Sequence, residues 1–198
     1  MQIQREAEGS LCEGILMGNQ TERDKRRDLS EQAECDRLRA RWSLMLTGGT
    51  DFDPRVPEFA GIVARIADTA ADRRSSLRRS YDRDCLWDDL GEWSNTATLT
   101  SHFRRIWQMA LATRTFGSGL FEDPELERDV VDALEWMHEH RYNPGIPMYG
   151  NWWDWHIGVP LLLLDTVTLM FDRLTGEQRG RYLAAIDHHK PEVAHTST

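Results

Sequence analysis

From Ser30 onward, apolar residues recur at helical spacing. Cys35, Leu38, Trp42 and Met45 fall three, four and three apart, one stripe of an α-helix that Gly48-Gly49 ends. After the turn TDFDPRVP, a second helix carries Phe59, Ile62, Val63, Ile66 and Ala70 on its expected inner face. DCLWDDLGEWSN breaks the period and reads as a loop. A third helix follows over residues 97–115, with Leu99, Phe103, Ile106 and Ala110 inward. Asp123-Pro124 opens a fourth, the aspartate capping free amides and the proline suiting the first turn, with Leu126, Val130, Ala133, Leu134 and Met137 buried. Beyond the loop RYNPGIPMYG, a fifth helix reaches about Leu174. Its stripe of Leu163, Val167, Met170 and Leu174 is widened by Leu161, Leu162, Leu164 and Leu169, so neighbours are expected on most sides. Thr175 and Gln178 form a capping box for a sixth helix with Tyr182, Leu183 and Ile186 inside. HHKPEVAHTST reads as a non-helical tail. No segment has the pattern of a strand. The expectation is an all-α fold of antiparallel helix pairs. It has a polar flexible leader over 1–30, a helical domain over 31–190 and a disordered tail over 191–198.

Composition narrows the partners. The chain has 198 residues, a net charge of -9, 40% hydrophobic and 29% charged residues, ordinary for one soluble domain. An acidic total argues against non-specific nucleic-acid binding, although a local basic cleft can still hold an anion. The longest apolar stretch, Val159 to Leu164, is too short to span a membrane. Neither nucleic acid nor membrane is therefore expected as a partner. MQIQREAEGSLCEGILMG lacks the basic-then-apolar order of a signal peptide. Asn19-Gln20-Thr21 fits a glycosylation sequon, a triplet common by chance. Cys12, Cys35 and Cys85 show neither a disulfide framework nor zinc spacing; they read as ordinary thiols, with one bridge open to them if the protein is exported.

The candidate chemistry centres on YGNWWDWHIGVP, which sets three of the eight tryptophans within four positions. Adjacent residues of a helix point in different directions, so Trp152 and Trp153 cannot easily bury together. At a helix entrance their faces would offer flat apolar platforms on which sugar rings stack while their hydroxyls stay hydrogen-bonded. Trp155 is either a third platform or core. Asn151 is a helix cap or a ligand contact. His156 is a structural residue or a general base, since imidazole titrates near neutrality. His138-Glu139-His140 lacks the spacing of a helical zinc site and reads as a solvated helix end, and His188-His189 as exposed. Asp88, Asp89 and Glu92 could hold magnesium against a diphosphate, but a solvated acidic loop explains them more simply. RRSSLRRSYDR, five arginines in eleven residues, is a solvated helix end or an attractor of polyanions. No metal and no cofactor is called for.

NWWDWHIGVP followed by LLLLDTVTLM resembles the N-terminal helical domain of polysaccharide lyase family 8, which includes hyaluronate, chondroitin and xanthan lyases. RWSLMLTGGTDFDP, LWDDL, NTATLTSHFRRIWQMALA and AIDHHKPEV resemble flanking segments, so the likeness runs from about residue 35 to 193. It implies a partial (α/α) toroid whose cleft binds an anionic, uronic-acid polysaccharide for β-elimination. Trp152 and Trp153 match the family's aromatic patch, Asn151 precedes it, and His156 completes the expected substrate-binding set. The family's catalytic Asn, His and Tyr lie downstream of this segment, so no catalytic residue is expected here. The missing C-terminal part of the lyase becomes the expected partner, and an extracellular location is implied. His156 stands where Glu or Gln is usual, and Leu161 where a basic residue is common.

Two other classes stay open. A self-contained helical glycosidase would need paired carboxylates such as Asp154 and Asp165 roughly 5 to 9 Å apart, yet eleven residues of straight helix separate them by about 16 Å. A non-catalytic helical carbohydrate-binding or interaction module would keep the fold and lack the chemistry.

Overall fold

The computed structural model describes residues 27–190. Most of the expected leader, with Cys12 and the sequon at Asn19, and the tail over 191–198 lie outside the described residues. The chain divides into two compact units, one ending at Trp42 and one starting at Ser43. The described part of the first is residues 27–42, most of helix α1, which covers 27–47 and so begins before Ser30. The apolar stripe of α1 is exposed: Leu38 is 61% and Met45 70% accessible, and Cys35 and Trp42 are exposed too. Helical periodicity identifies an apolar face without supplying what covers it. Gly48 and Gly49 end the helix at φ of 77° and 71°, a region glycine enters without strain.

The second unit contains α2 (Pro57–Ser75), α3 (Ala97–Arg114), α4 (Pro124–His140), α5 (Val159–Leu169) and α6 (Gly176–His189). A 3₁₀ turn, Asp88–Leu90, interrupts the loop before α3, and a π-helical turn, Asp154–Gly158, leads into α5. No strand occurs among the described residues. α3 is the central element, in contact with α2, α4 and α5. That position follows from its sequence: Leu99, Phe103, Ile106, Met109 and Ala110 are all buried, and with Leu111, Ala112 and Thr113 they leave its C-terminal half apolar on nearly every side.

The helix boundaries follow local chemistry. Asp123 caps α4, its Oδ1 accepting from the amides of Glu125 (2.8 Å) and Leu126 (3.1 Å). The Thr175–Gln178 capping box opens α6. α5 is shorter than expected, ending at Leu169 before a turn. Three expected inner positions are exposed: Phe59, Ile62 and Leu183. Phe59 packs against Phe52 at 5.1 Å, and Phe52 against Phe116 at 6.0 Å, a loop cluster that helical periodicity cannot foresee. Ile62 borders a groove with Trp107 and Leu111. On α6 the buried positions are Tyr182, Ala185 and His189.

The arginine run is neither a free solvated end nor an open polyanion site. Arg74 reaches Asp123, Glu125 and Asp129, Arg79 grips both oxygens of Asp129, and Arg83 pairs with Asp132 at 2.7 Å. These ties fix the end of α2 and its following loop to α4. Burial alone would raise the Asp129 carboxyl, but the hydrogen bonds from Arg79 and Arg74 outweigh it and hold the group below the usual carboxylate range. A second node is Glu127, nearly buried between Arg114 (2.8 Å) and Arg173 (2.7 Å), while Arg114 also donates to the Leu169 carbonyl.

Candidate functional site

The loop before the tryptophans turns at Gly150, where φ is 64° and a Cβ would come within 2.8 Å of Thr96 Cγ2. Asn151 then opens the helix. Its Oδ1 accepts from the Trp153 amide at 3.1 Å, its carbonyl accepts from the Asp154 amide at 3.2 Å, and its own amide donates to Thr96 Oγ1 at 3.0 Å. The side chain acts as a helix cap. Asp154 turns inward and is 4% exposed. It accepts from Thr96 Oγ1 at 2.7 Å and from Thr100 Oγ1 at 2.6 Å, which ties the turn to the start of α3. The Val159 amide reaches back five residues to the Asp154 carbonyl, so the turn holds one residue more than an α-turn.

This geometry separates the three indoles. Trp155 is fully buried: its Nε1 donates to the Tyr149 carbonyl at 2.9 Å, and its ring lies 5.7 Å from Tyr142 and 4.9 Å from His189. It is core, not platform. Burial pushes the Tyr142 phenol upward, and the hydroxyl donates to the Trp155 carbonyl. Trp152 and Trp153 remain at the surface, 61% and 40% accessible. Ile157, Leu161 and Leu164 are exposed as well, at spacings of four and three, so the apolar face begun by Trp153 continues onto α5. α5 is therefore not enclosed on most sides as its composition suggested; Leu163, Val167 and Leu169 face the core instead. His156 is half-buried, 6.1 Å from Trp152 between ring centres, with an enclosed Nδ1 that has no hydrogen-bond partner among the described residues.

The other candidates do not join this site. His138 packs edge-on against Tyr182, whereas His140 stacks on Trp136 and shares a hydrogen bond with its carbonyl, so the histidines are dispersed into packing roles. His189 is buried over Tyr142 rather than exposed, because α6 runs on to include it; His188 is exposed. In the acidic loop Asp89 is gripped by both terminal nitrogens of Arg105, and Asp88 lies 3.5 Å from Arg78. Cys35 and Cys85 are free thiols. A polar recess of about 400 Å³ bordered by Arg83, Asp132, Glu135 and Trp136 lies away from the tryptophan pair, and its arginines are already ion-paired.

Three residues not foreseen from the sequence, Thr96, Thr100 and Gly158, support the turn on the Trp153 side. Thr96 and Thr100 are four apart at the start of a helix, and Gly158 sits inside a helical run where alanine would be the better helix former; both signals are readable in principle.

The model of polysaccharide lyase family 8, N-terminal alpha-helical domain, matches residues 42–198, and the chain belongs to that family. Its fold is the partial (α/α) toroid of that domain. The chain is similar to the xanthan lyase of Bacillus sp. (strain GL1), 31% identical over 164 residues that make up 82% of this chain and 18% of the relative. It is 32% identical to the hyaluronate lyase of Thermasporomyces composti over 79% of this chain and 20% of that one. Among solved structures, Paenibacillus xanthan lyase superposes with a TM-score of 0.77 at 36% identity, covering 79% of this chain and 15% of that chain. The Streptomyces coelicolor A3 chondroitin AC lyase, solved in complex with chondroitin sulphate, gives 0.72 at 31%, covering 78% and 20%. The chain thus spans about a fifth or less of the length of these relatives.

Proposed function

We propose that this chain is the sugar-positioning part of a lyase that cleaves a uronic-acid polysaccharide by β-elimination. Trp152 and Trp153 stack on the sugar rings, with Asn151 and His156 beside them. One observation carries the reading: both indoles stay exposed while Trp155, two positions on, is fully enclosed. A chain that needed all three for its core would have hidden them. The relatives act on xanthan, hyaluronate and chondroitin by their names, which fits an anionic polysaccharide as ligand. In β-elimination the uronate carboxylate is neutralised, the adjacent C5 proton is removed, and the 4-linked sugar leaves. The matched motifs carry none of the family's catalytic Asn, His and Tyr, so the chemistry falls to the remainder of such a lyase and binding to this domain. An extracellular setting fits a polymeric substrate.

The glycosidase reading loses support because Asp154 is buried and spends both oxygens on threonine hydroxyls. The test is a fluorescence titration of the chain with chondroitin or hyaluronan oligosaccharides. The proposal expects a saturable change that Trp152→Ala with Trp153→Ala abolishes. A signal that survives the double substitution would reject the pair as the platform. A titration without any change would leave an interaction module that does not recognise these sugars.

A further inference from the structure

Trp153 is not merely exposed; it is seated. Gly158 lies five residues on, across the π-helical turn, and a Cβ placed there would come 2.6 Å from Trp153 Cζ3, 2.8 Å from Thr100 Oγ1 and 3.2 Å from Thr100 Cγ2. The indole edge and the threonine therefore occupy the space that any other side chain at 158 would fill. Gly158 has ordinary helical angles, φ -60° and ψ -53°, so backbone conformation does not demand glycine there. The close approach does. Thr100 is fixed in turn by its hydroxyl on Asp154 Oδ1, and Asp154 is fixed by Thr96 on its other oxygen. The carboxylate has no arginine or lysine among these contacts. It sits beside the first turns of α3, where helix N-terminal dipoles favour an anion.

We infer that Gly158, Thr100 and Asp154 are positioning residues that set the angle of the Trp153 ring for carbohydrate stacking. This rests on the sugar-binding reading of the tryptophan pair and adds how the angle is held. Stacking needs one ring face clear and directed outward. A side chain that rotates freely would lose entropy on each binding event, and a seat formed before the ligand arrives avoids that loss. Trp152 is more accessible and has the His156 ring beside it, 6.1 Å between centres, where Trp153 has the close backbone of Gly158, so the two indoles are held differently.

Gly158→Ala tests the seat directly, because alanine suits the helix but displaces the ring. In spectra of the full chain labelled at the indole nitrogens, the Trp153 signal should move while Trp87 and Trp155 hold still. Binding of chondroitin or hyaluronan oligosaccharides should weaken about tenfold while circular dichroism shows the helical fold retained. Thr100→Val, which keeps the shape but removes the hydroxyl, should also move the Trp153 signal, and Thr100→Ser should restore it. An unmoved Trp153 signal in Gly158→Ala would overturn the seat alone. A displaced signal with undiminished affinity would overturn the role in binding. Failure of the unaltered chain to bind either oligosaccharide would overturn the sugar reading and, with it, the purpose of the seat. If Gly158→Ala fails to fold, the Thr100 pair decides by the same signals.

Discussion

Lowering the pH from 7.5 to 5 should cost the folded chain about 2 kcal/mol through His102 alone. This histidine is completely enclosed on α3. Its Nδ1 lies 2.9 Å from the Thr98 carbonyl, which makes it the protonated nitrogen, and its Nε2 faces the Leu86 amide at 3.4 Å as an acceptor. Trp93 stacks on the ring at 4.7 Å. Burial lowers the imidazole to about 4, Arg105 and Arg141 push in the same direction, and the hydrogen bond to Thr98 only partly opposes them. The unfolded chain protonates near 6.5, so above that value both states are neutral and nothing is lost. As the pH falls from 6.5 towards 4, the unfolded state gains a proton that the folded state refuses, and stability declines. With those two values the loss is about 2 kcal/mol at pH 5 and levels off near 3 kcal/mol below pH 4. Asp129 and Glu135 are held below the ordinary carboxylate range, so their contributions are lost mainly as the pH falls through and beneath the ordinary values of 3.8 and 4.5, under the window. Urea denaturation followed by circular dichroism at pH 7.5, 6 and 5 measures the decline. His138 and His189 are also lowered by burial and add in the same sense, so the quantity to read is the difference in slope between the unaltered chain and His102→Gln. Parallel curves for the two proteins would refute the assignment, as would a His102 imidazole that titrates near 6.5 in the folded state.

Glu127→Gln should destabilise the domain by roughly 3 kcal/mol in the same denaturation assay, the lower end of the range for breaking a buried ion pair because Arg173 is half exposed; a loss below about 0.5 kcal/mol would show that the two arginines find water instead. The exposed face of Ile157, Leu161 and Leu164 should make the chain self-associate, and Leu161→Asp with Leu164→Asp should shift sedimentation towards the monomer. An unaltered chain that is monomeric at every concentration would contradict this.

Helix identity was readable because it depends on neighbours in sequence. Asp123-Pro124 and Thr175–Gln178 placed helix starts through contacts three residues long. What faces what was less readable. Leu38, Met45, Leu161 and Leu183 belong to apolar stripes yet lie exposed, because a stripe reports a face and not its cover. The arginine run looked solvated since its partners, Asp129 and Asp132, lie about fifty residues away. Within the site, the exposure of the adjacent tryptophans followed from helix geometry. The enclosure of Trp155 did not, because it depends on Tyr142 and on His189 from the far end of α6. The threonines beneath Asp154 were hidden for the same reason, being more than fifty residues distant in the chain.

On this proposal Trp152 and Trp153 are the surfaces that meet the sugar. Covering one indole face removes on the order of 50 Å² of apolar surface from water, about 1.3 kcal/mol or roughly tenfold in affinity for each ring. The most direct measurement maps all eight indole N–H signals during titration with chondroitin oligosaccharides. Trp152 and Trp153 should move together and saturate while Trp87 and Trp155 stay fixed. Shifts confined to other tryptophans, with this pair unmoved at saturation, would contradict the proposal.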